Sequence, residues 1–436
     1  MRRGLLFCGL LLAACDTSDS EDTDSEDNNQ EEVETDYPTT SCVDYDDPCV
    51  EIAAGDSQGL LETANLLEAN TTIVLAEGTY ALDNQVTFRD ADGVSLIGQG
   101  MDLTTLDFSA QPVQTNGVDA ISDGFLLEGL TILNAKKDGV RVEDSEGITF
   151  RAVRVTWTDP ESPENGAYGL YPVSSTDVLI EDCEAFNAAD AGIYVGQVQR
   201  TVVRNNLASG NVAGIEIENT QYADVYGNTA TNNTGGLLIF DLPGNPIIGR
   251  DVWVHDNTVT DNNTPNFAPS GVVSTIPAGT GTVILASRRV VLEDNTYANN
   301  NTSDIAILSG LIVEGDAQQW VIPENELVGD VDGLTLDSAD GVVFNFRTRN
   351  IVLANNSHAN SGTEPDVNDL NKRELGFLLG AVYKDVDVDS VLYDAIDESS
   401  FDAADPSANS NDHHICVGSN TNGTFASLDL ETVGAR

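Results

Sequence analysis

The chain has 436 residues, of which 72 are acidic and 19 are Lys or Arg, so its formal net charge is −53. Such a protein repels phosphate backbones and anionic lipid surfaces, which excludes nucleic-acid binding as a function class. The hydrophobic content of 40% is enough for a sizeable core and excludes a chain that is disordered throughout.

The first 14 residues have the pattern of a targeting segment. Two arginines at positions 2 and 3 precede an apolar run from Leu5 to Ala14, which is too short to cross a bilayer. The run ends in Leu-Ala-Ala-Cys, which resembles a bacterial lipobox with Cys15 as the lipidated residue. We therefore expect a lipoprotein signal peptide over 1–14 and a lipid anchor in the cell envelope, at the outer membrane or cell surface, with the inner membrane left open.

A polar segment follows the predicted anchor. Eleven acidic residues lie between Asp16 and Asp36, with almost nothing apolar among them. Like charges at this density keep a segment extended, so we interpret 15–41 as a disordered tether.

Cysteine and histidine usage indicates an oxidising compartment without a zinc site. Cys42 and Cys49 lie at the start of the folded part with six residues between them, and we expect a short disulfide between them. The four histidines are scattered, and we expect each at a solvated loop position.

An amphipathic segment then precedes the strands. Within Gln58–Asn70, the apolar residues Leu60, Ala64 and Leu67 fall on one helical face. We expect a short helix that caps one end of a stack.

Two ladders of residues with a period near 22 define the rest. Glycines at 139, 169, 192, 214 and 236 open short β-rich runs, and pairs in an Asn-x4-Asn pattern start at 206, 228, 257 and 295. Asn stabilises turns and can form hydrogen-bonded ladders when turns stack. The pattern predicts an all-β, right-handed parallel β-helix of about ten coils over 42–362, with 363–436 as a C-terminal capping region.

Several stretches resemble a family of bacterial parallel β-helix repeat-containing lipoproteins. These are 166–173 (GAYGLYPV), 190–197 (DAGIYVGQ), 211–219 (NVAGIEIEN) and 240–244 (FDLPG). The resemblance implies the fold and the envelope location. The wider superfamily, which includes pectate lyases, alginate epimerases and galacturonases as well as passive scaffolds, implies a polysaccharide as the partner.

Alternation along the strands sorts the side chains into two faces. The first and third residues after each glycine are apolar and should face the lumen, whereas the second and fourth should face solvent. This rule predicts one exposed column of Arg141, Tyr171, Tyr194 and Glu216, with Glu218 beside it.

The column has the composition of a carbohydrate site, because aromatic rings stack on sugars and carboxylates transfer protons. We assign candidate catalytic roles to Tyr194, Glu216, Glu218 and Arg141. Candidate substrate-binding roles go to a second group, which is Tyr168, Tyr171, Asp190 and Asp241. No residue is assigned as a metal ligand, although Ca²⁺ remains a candidate cofactor for an acidic face.

Three functions remain open from the sequence. The first is a polysaccharide lyase, epimerase or glycoside hydrolase, and the second is a non-catalytic scaffold that binds a glycan or a partner. The third is an accessory factor of another envelope system. We expect a monomer in each case, and the high negative charge favours a neutral glycan over a polyanion.

Overall fold

A computed structural model describes residues 40–89, 91–366, 387–393 and 415–427. The predicted signal peptide, Cys15 and nearly all of the tether lie outside these residues. Within the described ranges, no helix has both the length and the apolarity needed to cross a membrane.

The described residues form a right-handed parallel β-helix, as the repeat predicts. Each regular coil contributes one strand to an eleven-stranded sheet and two strands to a twenty-stranded sheet. One coil runs through the strands 191–196, 199–204 and 207–209, and the next through 213–218, 221–226 and 229–231. The cross-coil pairs are offset by 22 residues here, for example Ile193 with Ile215, which confirms the predicted period.

The strands group as follows. The eleven-stranded sheet comprises Val86–Phe88, Val118–Ala120, Val140–Glu143, Tyr168–Val173, Ala191–Gly196, Ala213–Glu218, Gly235–Phe240, Thr280–Leu285, Ser303–Leu308, Val391–Tyr393 and Phe425–Ser427. The twenty-stranded sheet comprises Cys49–Ile52, Thr72–Leu75, Gly78–Ala81, Ser95–Ile97, Thr104–Asp107, Leu126–Leu133, Thr149–Thr156, Thr176–Glu181, Glu184–Phe186, Gln199–Arg204, Leu207–Ser209, Gln221–Tyr226, Thr229–Thr231, Arg250–His255, Thr258–Thr260, Arg288–Glu293, Thr296–Ala298, Arg349–Ala354, Ser357–Ala359 and Ile415–Val417. A small antiparallel sheet is formed by Val321–Pro323, Asp337–Ala339 and Val342–Phe344. Short 3-10 helices occupy Cys42–Asp44, Val272–Thr275, Gly310–Ile312, Ala317–Trp320 and Glu324–Glu326.

The asparagines form the two predicted ladders inside the turns. In the first, the amide Nδ2 of Asn206 donates to Oδ1 of Asn228 at 2.9 Å, and the same bond recurs in the following coils. In the second, Nδ2 of Asn211 donates to Oδ1 of Asn233 at 3.0 Å. Each buried amide also bonds a backbone carbonyl, so the ladders satisfy polar groups that a buried turn would otherwise leave unpaired.

The N-terminal end of the stack has the predicted helix, although it is shorter. It spans Ser57–Ala64, and Asp56 caps it by accepting a hydrogen bond from the amide of Gly59 at 2.9 Å. Leu60 and Ala64 are buried in the core. The predicted disulfide joins Cys42 to Cys49, with their Cα atoms 5.6 Å apart.

The C-terminal boundary differs from the prediction. Strands 391–393, 415–417 and 425–427 pair in parallel with earlier strands. Coil stacking therefore extends into the segment 363–436 that was predicted as a cap. A ladder bond from Asn356 to Asn420 at 3.1 Å shows that the same turn chemistry continues there.

Two histidine predictions are also wrong. His358 is buried in a strand, stacks on Tyr297, and lies 2.9 Å from the carboxylate of Asp304. His255 ends the strand 250–255 and is not in a loop.

Two insertions between coils build a second core outside the eleven-stranded sheet. We call the segments 264–279 and 309–348 the cover. Apolar side chains of both segments pack on the outward face of the later strands of this sheet, and they include Val273, Ile276, Ile312, Trp320 and Phe346. The main core lies in the lumen and runs through the whole stack.

Candidate functional site

The outward columns have the predicted register. Arg141 pairs with Tyr171, and Tyr194 pairs with Glu216 on successive strands. Glu218 pairs with Gly196, which places it in the neighbouring outward column.

The predicted exposure of these side chains is wrong. Tyr194 is 5% exposed, Glu216 is 2% exposed and Glu218 is 8% exposed. The alternation rule gives the correct face of the sheet, but it cannot show that another part of the chain covers that face. Tyr194 belongs to the second core together with residues of the cover.

The outward face changes character along the stack. Its early strands carry charged groups such as Arg141 and Glu143, which are partly exposed. Its later strands carry apolar residues such as Leu238 and Phe240, which the second core buries. The candidate site residues lie at the boundary between these two regions, where the cover begins.

Three tyrosines pack together at this boundary. The ring centroids of Tyr168 and Tyr171 are 4.6 Å apart, as are those of Tyr168 and Tyr194. The rings of Tyr171 and Tyr194 are perpendicular at 4.9 Å. Tyr194 lies over Gly196 of its own strand, where a Cβ atom would come within 2.3 Å of the ring. Tyr168 and Tyr171 are half-buried and pack against the second core.

Three carboxyl groups adjoin the tyrosines. We call Tyr168, Tyr171, Tyr194, Asp190, Glu216 and Glu218 the acid–tyrosine cluster. Glu218 accepts hydrogen bonds from the amide groups of Gln197 at 2.9 Å and Asn245 at 3.3 Å. One carboxylate oxygen of Asp190 and one of Glu216 are buried without a hydrogen-bond partner in the described part of the chain.

Burial and mutual repulsion raise the pKa values of these acids. Burial, reinforced by the charge of Glu218, raises the pKa of Asp190 to about 7, although an interaction with the Tyr168 hydroxyl opposes the shift. Burial also raises the pKa of Glu216 well above its ordinary value, and the charges of Asp190 and Glu218 add to the effect. Burial raises the pKa of Glu218, while hydrogen bonds from Tyr194 and Gln197 oppose it. An acid with a pKa of about 7, such as Asp190, can hold or release a proton near neutral pH.

The same burial keeps the neighbouring phenols neutral. It raises the pKa values of Tyr168 and Tyr194 far above the ordinary value, and nearby carboxylates add to both shifts. Neither hydroxyl can readily become a phenolate.

Arg141 lies at the N-terminal end of the column and forms ion pairs with acidic residues. It pairs with Glu143, lies 3.7 Å from Asp119, and has its guanidinium 5.9 Å from the ring centre of Tyr171. Burial lowers the pKa of Arg141, but the bond and charge of Glu143 outweigh this and leave the pKa raised. Arg141 therefore remains a cation that can orient a ligand.

Asp241 does not join the accessible site. It is fully buried and accepts hydrogen bonds from the amide of Gly249 and from Nδ2 of Asn345, both at 2.8 Å. Asn345 also accepts a bond from the buried Arg288. Asp241 thus anchors the cover to the coils, which corrects its predicted role in substrate binding.

The sequence analysis missed Asp138, a further acid next to the cluster. It is 1% exposed, and Lys137 Nζ lies 3.6 Å from its carboxylate. Burial raises its pKa, and Lys137 opposes the shift. Its position directly before a repeat glycine was a usable signal, because Tyr168 occupies the equivalent place in the next coil.

The sequence also contains a signal for the cover. Successive members of the first Asn ladder are separated by 22, 29, 38 and 61 residues. Each spacing beyond 22 marks residues inserted between coils, and the largest contains the segment 309–348.

The described residues contain no group of three His, Cys, Asp or Glu side chains placed to share a metal ion. The buried acids of the cluster are near enough to influence one another electrostatically, but they do not form such a group.

The stacked coils define the class of fold, a right-handed parallel β-helix. Residues 113–327, about half of the chain, match the family model described as the right handed beta helix region. No curated protein sequence matches the chain.

Solved structures with a similar fold come from several bacteria. The exopolygalacturonase from Thermotoga maritima is 10% identical, with 72% of this chain and 81% of that chain covered and a TM-score of 0.48. The A-module of the mannuronan C-5 epimerase AlgE4 from Azotobacter vinelandii is 14% identical, with coverages of 85% and 92% and a TM-score of 0.43. An alginate lyase from Paenibacillus sp. is 13% identical, with coverages of 72% and 94% and a TM-score of 0.40.

Proposed function

We propose that this protein binds a polysaccharide at the acid–tyrosine cluster and cleaves it by acid–base hydrolysis. One observation carries the proposal. Three carboxyl groups with raised pKa values adjoin three packed tyrosine rings, two of which are half-buried. Structural ion pairs seldom leave buried carboxylate oxygens without a partner, so the arrangement favours chemistry over stability.

Asp190 is the proposed proton donor. Its pKa of about 7 keeps a large fraction of the group protonated at neutral pH, as a general acid requires. Tyr168 and Tyr171, which are half-buried, present ring surface to a sugar. Glu218 would stabilise the positive charge that develops on the sugar or activate water.

Lyase and epimerase chemistry is less well supported. Both need a base that removes a carbon-bound proton, and the sequence offered Tyr194 and Arg141 for this role. The pKa values of both are raised, so neither loses its proton readily. The charge of −53 also disfavours an anionic glycan.

Non-catalytic glycan binding is the second candidate function. It is favoured by the low exposure of Glu216 and Glu218, which are 2% and 8% exposed. In this case the tyrosines would hold a sugar at the mouth of the cluster, and the buried acids would not reach it.

An incubation with soluble glucan, xylan and mannan, each with CaCl2 or with EDTA, separates these functions. Hydrolysis predicts new reducing ends without unsaturated uronates, and Asp190→Asn should reduce the rate by about 10²-fold or more, the usual contribution of a general acid. Asp177→Asn is the matched control, because Asp177 is exposed and pairs with Arg200 on the other sheet. Retention of a glycan without new reducing ends would overturn hydrolysis and support the second candidate.

Anchoring at Cys15 is a separate proposal that rests on the lipobox-like segment. The mature protein should begin at a lipid-modified Cys15 and fractionate with membranes. Mass spectrometry of the N-terminal peptide tests this, with Cys15→Ser as the variant that should be released into the soluble fraction.

A further inference from the structure

The twenty-stranded sheet carries an aromatic group outside the proposed catalytic site. On the strand 250–255, Val252 and Val254 are buried and face the lumen. Trp253 and His255 alternate with them and therefore point outward. Tyr226 lies in register with His255 on the preceding coil. We call Tyr226, Trp253 and His255 the aromatic platform.

The three rings are stacked. The ring centres of Trp253 and His255 are 3.9 Å apart with planes 27° from parallel, and those of His255 and Tyr226 are 4.9 Å apart at 13°. His255 thus lies between the other two. Among the described rings, His255 alone stacks on Trp253, so the opposite face of the indole is left without an aromatic partner.

Polar contacts fix the stack in place. One nitrogen of His255 lies 3.0 Å from Asp224 and the other 2.7 Å from Asp256. Arg204 donates a hydrogen bond at 3.0 Å to the hydroxyl of Tyr226 and is itself paired with Glu181. A surface whose rings are already ordered loses little conformational entropy when a ligand binds.

Trp253 differs from the other tryptophans of the chain. It is 39% exposed, whereas Trp157 and Trp320 are 3% and 1% exposed. Its column continues through Val291 to Val352, which is 37% exposed. The result is an apolar strip that crosses three coils, spaced about 4.8 Å apart as in any sheet.

We propose that the aromatic platform is a second binding surface and that its ligand is a neutral polysaccharide. A flat indole face with an apolar strip beside it matches the apolar face of a sugar ring, and Asp224, Asp256 and the Tyr226 hydroxyl can bond sugar hydroxyls at the rim. The acids near the platform disfavour a polyanion.

A cationic peptide is the competing ligand for an acidic aromatic surface. The geometry favours the glycan, because the exposed indole of Trp253 and the apolar strip beside it form a flat apolar surface, whereas the charged groups Asp224 and Asp256 lie only at its rim. The platform also lies on the regular strands of a sheet, which gives a shallow surface for rings.

Tryptophan fluorescence tests the platform directly in the full chain. Since Trp253 is the single exposed tryptophan, acrylamide quenching reports mainly on this residue. Soluble glucan, xylan or mannan should protect the fluorescence, whereas polygalacturonate should not. In affinity electrophoresis, the protecting glycan should retard the protein, and Trp253→Ala should weaken retardation by ~5–10-fold.

The matched control is Thr258→Ala, an exposed substitution on the same sheet, which should be retarded like the wild type. Trp253→Ala should leave the release of reducing ends from short oligosaccharides unchanged, so failure of the platform and failure of the catalytic proposal are distinguishable. Absence of protection by all three neutral glycans would overturn the proposal, and so would protection by oligolysine alone.

Discussion

The buried carboxyl group of Asp190 lowers the stability of the folded protein when it is ionised. One of its oxygens is buried without a hydrogen-bond partner, and its pKa is raised to about 7. A raised carboxyl pKa means that the folded state holds the proton more tightly than the unfolded state. The stability from this group is therefore complete below the ordinary pKa of 3.8 and is lost as the pH rises towards 7.

The first prediction concerns Asp190→Asn. The variant should be more stable than the wild type at pH 8 and nearly equal to it at pH 4, because the amide does not ionise. Each pKa unit corresponds to about 1.4 kcal/mol, and partial solvent access reduces the gain to on the order of 1–2 kcal/mol. Denaturant unfolding at both pH values measures this, with Asp177→Asn as the control. An equal effect at pH 4 and pH 8 would contradict the raised pKa.

At the scale of single elements, the asparagine ladders hold the turns of successive coils together. Asn233 shows how many bonds one ladder residue makes. Its side-chain NH2 donates to Ala208 O and Asn262 Oδ1. Its Oδ1 accepts from the backbone and the side chain of Asn211. Four hydrogen bonds therefore depend on one buried side chain.

The second prediction concerns Asn233→Ala. The variant removes a hydrogen-bond partner from buried groups of the coils on either side, and each group left unpaired costs about 1–3 kcal/mol, so a loss of roughly 3–5 kcal/mol is expected. Asn84→Ala is the control, because Asn84 is exposed and bonds only its neighbour Gln85 among the described contacts. Equal melting temperatures for the two variants would show that the ladder contributes little.

The cover has a large buried side chain of its own, Trp320, which belongs to the second core. Trp320 is 1% exposed, packs directly against Gly310, and donates from its indole to Glu314 O at 3.0 Å. These two contacts lie within the segment 309–348, whereas the bond from Asn345 to Asp241 holds that segment to the coils.

The third prediction concerns Trp320→Ala. Loss of the ring should destabilise the cover by about 3–5 kcal/mol and leave the coils intact. We expect proteolysis within 309–348 to accelerate, while the main thermal transition moves little. Trp253→Ala provides the comparison, because its side chain is outside both cores. A single cooperative transition shifted by the full amount would show that the cover and coils unfold together.

At the scale of the whole molecule, the sequence predicted the stacked coils but not the cover that packs on them. The period, the ladders and the column from Arg141 to Glu216 follow from short-range patterns, because every regular coil repeats the same turn chemistry. The burial of Tyr194 was not predicted, because Tyr194 shares a core with apolar side chains such as Ile276 that come from insertions far along the chain. No alternation of residues within a strand encodes that contact.

The charge of −53 is also a property of the whole molecule. Most acids of the described residues are exposed, so repulsion among them acts through solvent and is screened by salt.

The fourth prediction is that the melting temperature rises with salt. Between about 10 mM and 1 M NaCl, the screening length falls from about 30 Å to about 3 Å, and long-range repulsion is removed. Pairs such as Arg200 with Asp177 are weakened by the same salt, but each contributes little. Differential scanning calorimetry across this range measures the balance. A falling melting temperature would mean that ion pairs outweigh the net repulsion.

The disulfide near the start of the stack has a mechanical consequence. Cys49 begins the first strand of the twenty-stranded sheet, and a covalent bond joins it to Cys42. A pulling force on the chain before Cys42 therefore reaches that strand through the sulfur bridge, and the residues between the two cysteines carry no load. The strand 49–52 lies in parallel register with 72–75, so the force acts first on that one row of hydrogen bonds. Under tension from this end, the molecule should yield coil by coil, beginning with the strand 49–52.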